Sequence, residues 1–356
     1  MDRKRLAIIL IGIAGVIVVG VIALAMGPIL FPPQKAAVTP TPASTATAKP
    51  AATPTQVANK LSPLIFGTNL GLFTSSDQVI TSPGTQTLMQ QMHVQIVRMP
   101  TRSSLPDSVN TQAAQAIKTI GAVPLVALRG SQSPNVAQVL ADDTRMINVM
   151  NQVFPDTTVY YEFGNEDDLN GIHIADYITR WNLLVPQLKK LTPHGKWIGP
   201  VSFQYNQKNI NEFLQQANPR ADAISWHEYT CSYKDTPDKC LAGLDKWPAH
   251  ITDARQTMQS AIHTELPIMI TEWNYASDQS IQSNGQPYND GMWNNDAFMK
   301  QWTTKAIQTL ENNHVFASMQ YSVTNTANPM INNGGTMTMQ GSTFQSLYEQ
   351  TIGNKK

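Results

Sequence analysis

The amino-acid sequence predicts an α/β fold, a (β/α)8 TIM barrel, that begins after residue 60. Short apolar runs recur through this later part and alternate with segments of helical period. There are eight such runs, which is the number that a closed parallel barrel requires. Three long polar connections, 228–250, 273–293 and 322–341, follow the last three runs. In a barrel these connections would lie on the carboxyl-end face, where barrel active sites are built.

The chain starts with two segments that cannot belong to the barrel. Residues 1–5 are a basic tail, and residues 6–31 are uncharged and mostly Ile, Val, Leu, Ala and Gly. This run is long enough for a transmembrane anchor, because a ~30 Å hydrocarbon core needs about 20 helical residues. The basic tail predicts an inside amino terminus, so we expect a single-pass cell-membrane protein with an extracytoplasmic domain. The alternative is a secreted protein, since Ala23-Leu24-Ala25 resembles a signal-peptide cleavage site.

A linker and the folded domain follow. Residues 32–60 contain six prolines and six threonines but no acidic or aromatic residue, so we expect an extended linker. Residues 61–356 form the predicted barrel domain. Its strands are predicted at 64–69, 94–99, 122–128, 158–163, 196–201, 222–227, 267–272 and 315–321. Its helices are predicted at 84–92, 110–120, 134–153, 174–191, 208–217, 251–264, 294–312 and 342–351.

A doubly wound open sheet is the second candidate for the fold. Such sheets commonly carry a glycine-rich phosphate loop after the first strand. Here the run Gly67-Thr68-Asn69-Leu70-Gly71 lacks the G-x-G-x-x-G spacing. The barrel is therefore the favoured interpretation.

The composition excludes one class of partner and favours another. The formal net charge is +0, which argues against a nucleic-acid binder with a basic face. Only 14% of the residues are charged, against about 25% in an average domain. Asn, Gln, Thr and Ser take their place, which suits an extracellular surface and a neutral, hydroxyl-rich ligand.

The two cysteines predict a disulfide. Cys231 and Cys240 lie nine positions apart, and pairing is the default outside the cytoplasm. A metal site would need more ligands than this spacing offers. The H-E-x-x-H zinc motif also fails, because Cys231 stands where the second histidine after His227-Glu228 would have to be. We therefore predict no metal and no cofactor.

Two strands are predicted to end in a glutamate. The aromatic run that starts at Tyr160 ends in Asn165-Glu166, and the apolar run that starts at Leu266 ends in Glu272. Glutamates on the fourth and seventh strands of a barrel face each other across its mouth. Ile268, Ile270 and Glu272 also share one strand parity, which predicts a common inward direction. Cleavage of a glycosidic bond needs such a carboxyl pair.

These strand ends resemble clan A of the glycoside hydrolases, retaining enzymes with (β/α)8 barrels. The run Thr271-Glu272-Trp273-Asn274 is most similar to family 39 and to the neighbouring families 51 and 79. The resemblance implies that Glu166 is the acid/base and Glu272 the nucleophile. It also implies that Asn165 binds the sugar 2-hydroxyl and that the substrate is a carbohydrate.

Further site residues follow from the resemblance. Arg98 matches an arginine that steadies the nucleophile; its alternative role is a structural salt bridge to Glu162. His227 and Tyr229 match a histidine and an aromatic residue that line the site, although His227 is alternatively a satisfied core histidine. The remaining predicted substrate contacts are Trp273, Trp293 and Tyr321. Trp273 either packs in the domain or stacks on sugar.

The sequence departs from the clan pattern at two positions. Asp167 stands where many members have proline after the Asn-Glu pair. The eighth strand ends in Gln320-Tyr321 where a sugar-stacking tryptophan is common, so Tyr321 or Trp293 would supply the platform. These departures motivate a second hypothesis, a non-catalytic carbohydrate-binding protein of the cell surface. A hydrolase of another bond type is a third, for which no other catalytic constellation is present.

Overall fold

The computed structural model describes residues 61–277 and 291–353, and eight parallel strands in it close into a barrel in chain order. The strands are β1 (Gly67–Asn69), β2 (Ile96–Pro100), β3 (Val123–Leu128), β4 (Val159–Phe163), β5 (Gly195–Ser202), β6 (Ala223–Tyr229), β7 (Ile268–Asn274) and β8 (Ala317–Gln320). Pairing of β1 with β8 completes the ring. The predicted (β/α)8 barrel is confirmed.

Ten helices surround the strands in the described part of the chain. They are α1 (Gln78–Thr81), α2 (Pro83–Gln91), α3 (Asp107–Ile120), α4 (Val136–Val153), α5 (Ile174–Leu188), α6 (Gln207–Gln216), α7 (Pro237–Gly243), α8 (Trp247–Ile262), α9 (Asp296–Asn312) and α10 (Met339–Thr351). Eight of them match the predicted segments. The short helices α1 and α7 were not predicted, because one or two turns carry too little periodicity to stand out.

The first strand is shorter than predicted because a turn occupies its beginning. The Ser62 hydroxyl accepts a hydrogen bond from the Leu64 amide and caps a 3₁₀ turn at Pro63–Ile65. Proline at the first position of the turn favours this helical start. The apolar residues of the predicted strand at 64–66 therefore pack as a turn beneath the barrel.

Two apolar layers support the barrel. Inside it, one cluster fills the lower end and consists of Ile96, Leu125, Ile198, Ala223, Met269, Ala317 and Met319. A larger cluster lies between the strands and the helices and contains six fully buried tryptophans. The upper interior is polar instead, with Asn69, Arg98, Glu162, His227 and Glu272 all buried. Polar side chains are thus concentrated at the carboxyl ends of the strands.

The predicted disulfide between Cys231 and Cys240 is confirmed, with a Cα–Cα distance of 5.0 Å. It ties the end of β6 to α7, whose last residue, Gly243, packs against Thr230 so closely that an added Cβ would lie 2.4 Å from the Thr230 carbonyl oxygen. The described residues include no helix that is long and apolar enough to span a membrane. The predicted tail, anchor and linker, residues 1–60, lie outside the described residues, as do residues 278–290.

Candidate active site

Arg98 on β2 connects the polar groups at the barrel mouth. Its Nε donates to Glu162 Oε2 at 2.6 Å, and its Nη1 donates to Glu272 Oε1 at 2.6 Å. Nη1 also donates to Asn69 Oδ1 at 3.0 Å, and Nη2 donates to Asn165 Oδ1 at 2.5 Å. Both predicted roles of Arg98, the salt bridge to Glu162 and the contact with Glu272, are present together. Loss of one partner from such a buried ion pair costs about 3–5 kcal/mol.

A bulge in β7 turns Glu272 into the barrel. Ile270 pairs with Trp226 and Glu272 with His227, so Thr271 is an extra residue on β7 relative to β6. The pairing with β8 shifts at the same place. Below the bulge it is Met269 that lies in the inner cluster, whereas Ile268 and Ile270 lie in the outer one. The predicted common inward direction of Ile268, Ile270 and Glu272 is therefore wrong, because a bulge inverts the alternation.

Tyr229 and His227 approach Glu272 from β6. The Tyr229 hydroxyl donates to Glu272 Oε2 at 2.6 Å. His227 Nδ1 lies 2.8 Å from Glu166 Oε1 and 3.5 Å from Glu272 Oε2, so it faces both carboxyl groups. Its other ring nitrogen, Nε2, is buried and has no partner in the described part of the chain. His227 thus lies in the site and is not a satisfied core histidine.

The segment after β4 presents Glu166 from an unusual backbone. Gly164 has φ 100° and Glu166 has φ 51°, both in the left-handed region. A Cβ on Gly164 would lie 2.5 Å from Asp167 Oδ2, so glycine is required there. Asp167 accepts hydrogen bonds from the Ser131 hydroxyl and the Asn165 amide. Asp167, the departure from the clan pattern, therefore fixes the backbone that carries Asn165 and Glu166.

The two glutamates have opposite pKa shifts. Burial raises the pKa of Glu166, and the nearby Glu272 raises it further, against the opposing hydrogen bond from His227. Burial also acts to raise the pKa of Glu272, but His227, Arg98 and the hydrogen bond from Tyr229 outweigh it and lower this pKa. Burial acts to lower the pKa of His227, whereas both glutamates raise it, and the result is a raised pKa. The site thus favours a protonated Glu166 beside an ionised Glu272.

Oxygens of Glu166 and Glu272 and a ring nitrogen of His227 all lie within 4.8 Å of one another. By residue type and distance, these three groups are also able to hold a metal ion. The short distance between His227 and Glu166 is also explained by a hydrogen bond, in which one proton lies between Nδ1 and Oε1. A cation would have to compete with that proton.

Trp273 is placed differently from its prediction as a sugar contact. Its side chain is fully buried in the outer layer, where its ring lies 5.9 Å from the Trp302 ring and its Nε1 donates to Ser318 Oγ at 3.1 Å. The prediction that Trp273 binds substrate is therefore wrong. The reason is strand alternation, since Glu272 points into the barrel and its neighbour must point out of it.

The other two aromatic candidates occupy different places. Tyr321 follows β8, is partly exposed and interacts electrostatically with Tyr229 and Arg102, so it lies at the barrel mouth. Trp293 is half-buried and lines a cavity of about 580 Å³ together with residues of the segment 326–342. Tyr229 does not line this cavity, so Trp293 and the glutamate pair border different spaces.

Two residues of the site, Asn69 and Phe203, were not predicted from the sequence. Asn69 at the end of β1 accepts from Arg98 and donates to the Thr271 carbonyl at 3.0 Å, which ties β1 to the bulge. Phe203 stacks on Tyr229 with ring centroids 5.9 Å apart and lines a cavity of about 480 Å³. Both residues lie at the carboxyl end of a barrel strand, and this position was the signal available in the sequence.

Comparisons with known proteins agree on the fold. No family model and no curated protein matches the chain. Among solved structures, N2152 from Neocallimastix frontalis is 20% identical with a TM-score of 0.51, covering 73% of this chain and 60% of that one. A family 39 β-xylosidase from Caulobacter crescentus is 11% identical with a TM-score of 0.55, covering 81% of this chain and 71% of that one.

A third similar structure belongs to another family of the same clan. AbfB, a family 51 α-L-arabinofuranosidase from Bifidobacterium longum, is 13% identical with a TM-score of 0.58, covering 80% of this chain and 73% of that one. The chain spans between 60% and 73% of the length of these three proteins. At the level of the fold, the resemblance to clan A that the strand-end motifs indicated is confirmed.

Proposed function

We propose that this protein is a retaining glycoside hydrolase that cleaves extracellular oligo- or polysaccharides by double displacement. The observation that carries the proposal is the glutamate pair, whose oxygens lie within 4.8 Å and whose pKa values shift in opposite directions. Retaining enzymes hold their carboxyl groups about 5–5.5 Å apart, whereas inverting enzymes need about 6.5–9.5 Å to admit a water. The similar structures named as family 39 and family 51 glycosidases support the same class of reaction.

In the first step the ionised Glu272 attacks the anomeric carbon. Arg98 and Tyr229 hold its two oxygens, so the attacking group is oriented before substrate binds. The glycosidic C–O bond breaks, and the proton of Glu166 passes to the leaving oxygen. Asn165 uses its carbonyl oxygen for Arg98, which leaves its Nδ2 to donate to the sugar 2-hydroxyl.

In the second step a water molecule replaces the leaving group. The ester formed in the first step has removed the negative charge of Glu272, which had helped to raise the pKa of Glu166. The pKa of Glu166 therefore falls, and its carboxylate takes a proton from the water. The water oxygen bonds to the anomeric carbon, the ester bond breaks, and Glu272 leaves as a carboxylate.

The test is a covalent trap. The full-length protein is incubated with a panel of 2-deoxy-2-fluoro glycosides that carry good leaving groups, and any adduct is mapped by mass spectrometry. We expect a glycosyl ester on Glu272. Glu272→Gln should form no adduct and lose turnover by orders of magnitude, and Glu166→Gln should lose turnover on substrates with poor leaving groups. Glu228→Gln is the matched control, since Glu228 is buried on the outer side of β6 against Trp226.

The competing hypothesis is a non-catalytic carbohydrate-binding protein with the same barrel. The departures at Asp167 and Tyr321 motivated it, and Asp167 now has a structural role in holding the Glu166 segment. Sugar binding by calorimetry without turnover, and unchanged in Glu272→Gln, would favour this hypothesis. Near wild-type hydrolysis by Glu272→Gln or Glu166→Gln would overturn the proposed mechanism.

A further inference from the structure

Arg102 is a second arginine at the barrel mouth, just beyond the end of β2. Its Nη2 donates to the Gly71 carbonyl at 2.9 Å, and its guanidinium carbon lies 4.8 Å from the centroid of the Phe73 ring. Phe73 itself is 49% exposed, although large apolar side chains are usually covered. The segment that follows β1 therefore holds a cation against an aromatic face at the edge of the site.

The charge of Arg102 is not neutralised within the described residues. It forms no ion pair there, and its Nε is buried without a hydrogen-bond partner. A buried donor that is left unsatisfied costs about 1–3 kcal/mol, and more when it is charged. Arg98 provides the contrast, because both of its neighbouring carboxylates are in contact with it. Among the described residues at the barrel mouth, Arg102 is thus a cation without a paired carboxylate.

Arg102 lies on the same face of the barrel as the proposed nucleophile, because it follows the carboxyl end of β2 by two residues. Burial and Arg98 lower its pKa, while Tyr321 and Glu272 act to raise it, so all three residues share its electrostatic environment. An arginine stays protonated in spite of such a shift. A guanidinium recognises planar anions such as carboxylates through paired hydrogen bonds.

We propose that Arg102 and Phe73 form a subsite for an acidic sugar, so that the substrate carries a carboxylate on a unit near the scissile bond. The inference rests on the proposed function for the reaction, but it concerns the choice of substrate. Phe73 offers its ring to the apolar face of the sugar, and the Nη1 of Arg102, which has no hydrogen-bond partner among the described residues, receives the carboxylate. Neutral sugars leave the cation uncompensated and bind less well.

The test compares matched pairs of 4-nitrophenyl glycosides: glucoside with glucuronide and galactoside with galacturonide, in both anomers. We expect the protein to favour the uronide of the accepted pair by at least about tenfold in kcat/KM. Arg102→Gln should reduce the ratio of uronide to neutral kcat/KM by about 10- to 100-fold, whereas Arg102→Lys should reduce it less. Arg145→Gln is the control, because Arg145 lies on α4 with a 52% exposed side chain, and it should leave the ratio unchanged.

A binding measurement separates this proposal from the proposed function. Calorimetry with glucuronate- and galacturonate-containing oligosaccharides, against their neutral counterparts, needs no turnover. Tighter binding of the acidic member that is lost in Arg102→Gln would support the subsite even if no glycoside were hydrolysed. A preference for neutral sugars would overturn the subsite. So would an equal loss of affinity for both members of a pair in a folded Arg102→Gln protein, and Arg102 would then only stabilise the segment of Gly71 and Phe73.

Discussion

Glu166 and Glu272 show how two residues of one type acquire different chemistry. Both are largely buried, so desolvation alone would raise the pKa of both carboxyl groups. Glu272 receives the Arg98 guanidinium and the Tyr229 hydroxyl, whereas among the described residues the Glu166 carboxyl group has a side-chain hydrogen bond with His227 alone. The surrounding residues, and not the glutamates themselves, separate an acid from a nucleophile.

The proposed mechanism predicts a bell-shaped dependence of kcat/KM on pH. Activity requires an ionised Glu272 and a protonated Glu166. The lowered pKa of Glu272 places the acid limb at low pH, and the raised pKa of Glu166 moves the alkaline limb upward. Because the two groups and His227 interact, the limbs report values for the coupled set.

Tyr229→Phe should move the acid limb of this profile to higher pH. The Tyr229 hydroxyl donates to Glu272 and so favours its ionised form. A hydrogen bond to a charged group contributes about 1.5–3 kcal/mol, which corresponds to about 1–2 pH units. The measurement is kcat/KM from pH 3 to 9 for both proteins.

The control for this experiment is Tyr348→Phe on α10, where Tyr348 stacks on His93 with ring centroids 4.5 Å apart. Its profile should coincide with that of the wild type. An acid limb that stays in place in Tyr229→Phe, with activity merely reduced, would mean that Tyr229 does not tune Glu272 through this hydrogen bond.

At the scale of elements, the sequence was sufficient for the strands and for most helices, but not for the bulge. Eight apolar runs with polar connections determine a closed parallel sheet, and this pattern is visible in the chain. The direction of Glu272 depends on one extra residue at Thr271, which two neighbouring strands impose through their pairing. Such a shift is a tertiary property, so strand parity alone wrongly assigned Ile268 and Ile270 to the inner side of β7.

Some residues of the candidate site could be predicted from the sequence and others could not. Motifs at strand ends predicted Glu166, Glu272, Arg98, His227 and Tyr229, which the structure brings together. Asn69 and Phe203 escaped notice because a single amide or aromatic residue at a strand end is common. Their roles arise only when closure of the barrel brings β1 beside β2 and β8, and β5 beside β6.

The disulfide should stabilise the segment that leaves β6. It closes a loop with a sequence separation of 9, for which chain entropy predicts about 2–3 kcal/mol. Cys231→Ser combined with Cys240→Ala should therefore lower the melting temperature by about 4–12 °C, since 1 kcal/mol shifts a large domain by about 2–4 °C. Scanning calorimetry of both proteins measures this.

Reduction provides the matched control for the disulfide. Dithiothreitol should lower the melting temperature of the wild type toward that of the double variant and leave the variant unchanged. Equal melting temperatures of oxidised wild type and variant would show that the bond adds nothing to the stability of the domain. Cys240 is fully buried with its sulfur 3.7 Å from Met292 Sδ, so alanine at this position limits the disturbance to a small void.

At the scale of the whole molecule, we propose that residues 6–31 anchor the barrel outside the cytoplasm through the linker 32–60. Both the uncharged run and the disulfide favour this arrangement, because disulfides persist in oxidising compartments. Fully extended, the linker would reach about 90 Å from the membrane at ~3.1 Å per residue. That reach suits an enzyme that acts on polysaccharide near its own cell.

The anchor predicts that the full-length chain stays with membranes after alkaline carbonate extraction, since only a spanning segment resists this treatment. Protease added outside intact cells should cut within 32–60 and release the barrel, and a chain that lacks residues 1–31 should be soluble. Amino-terminal sequencing of the mature protein distinguishes the alternative, because signal cleavage after Ala25 would yield a new terminus there and a freely secreted barrel. A full-length chain that carbonate extracts, with its original amino terminus intact, would contradict both forms of the proposal.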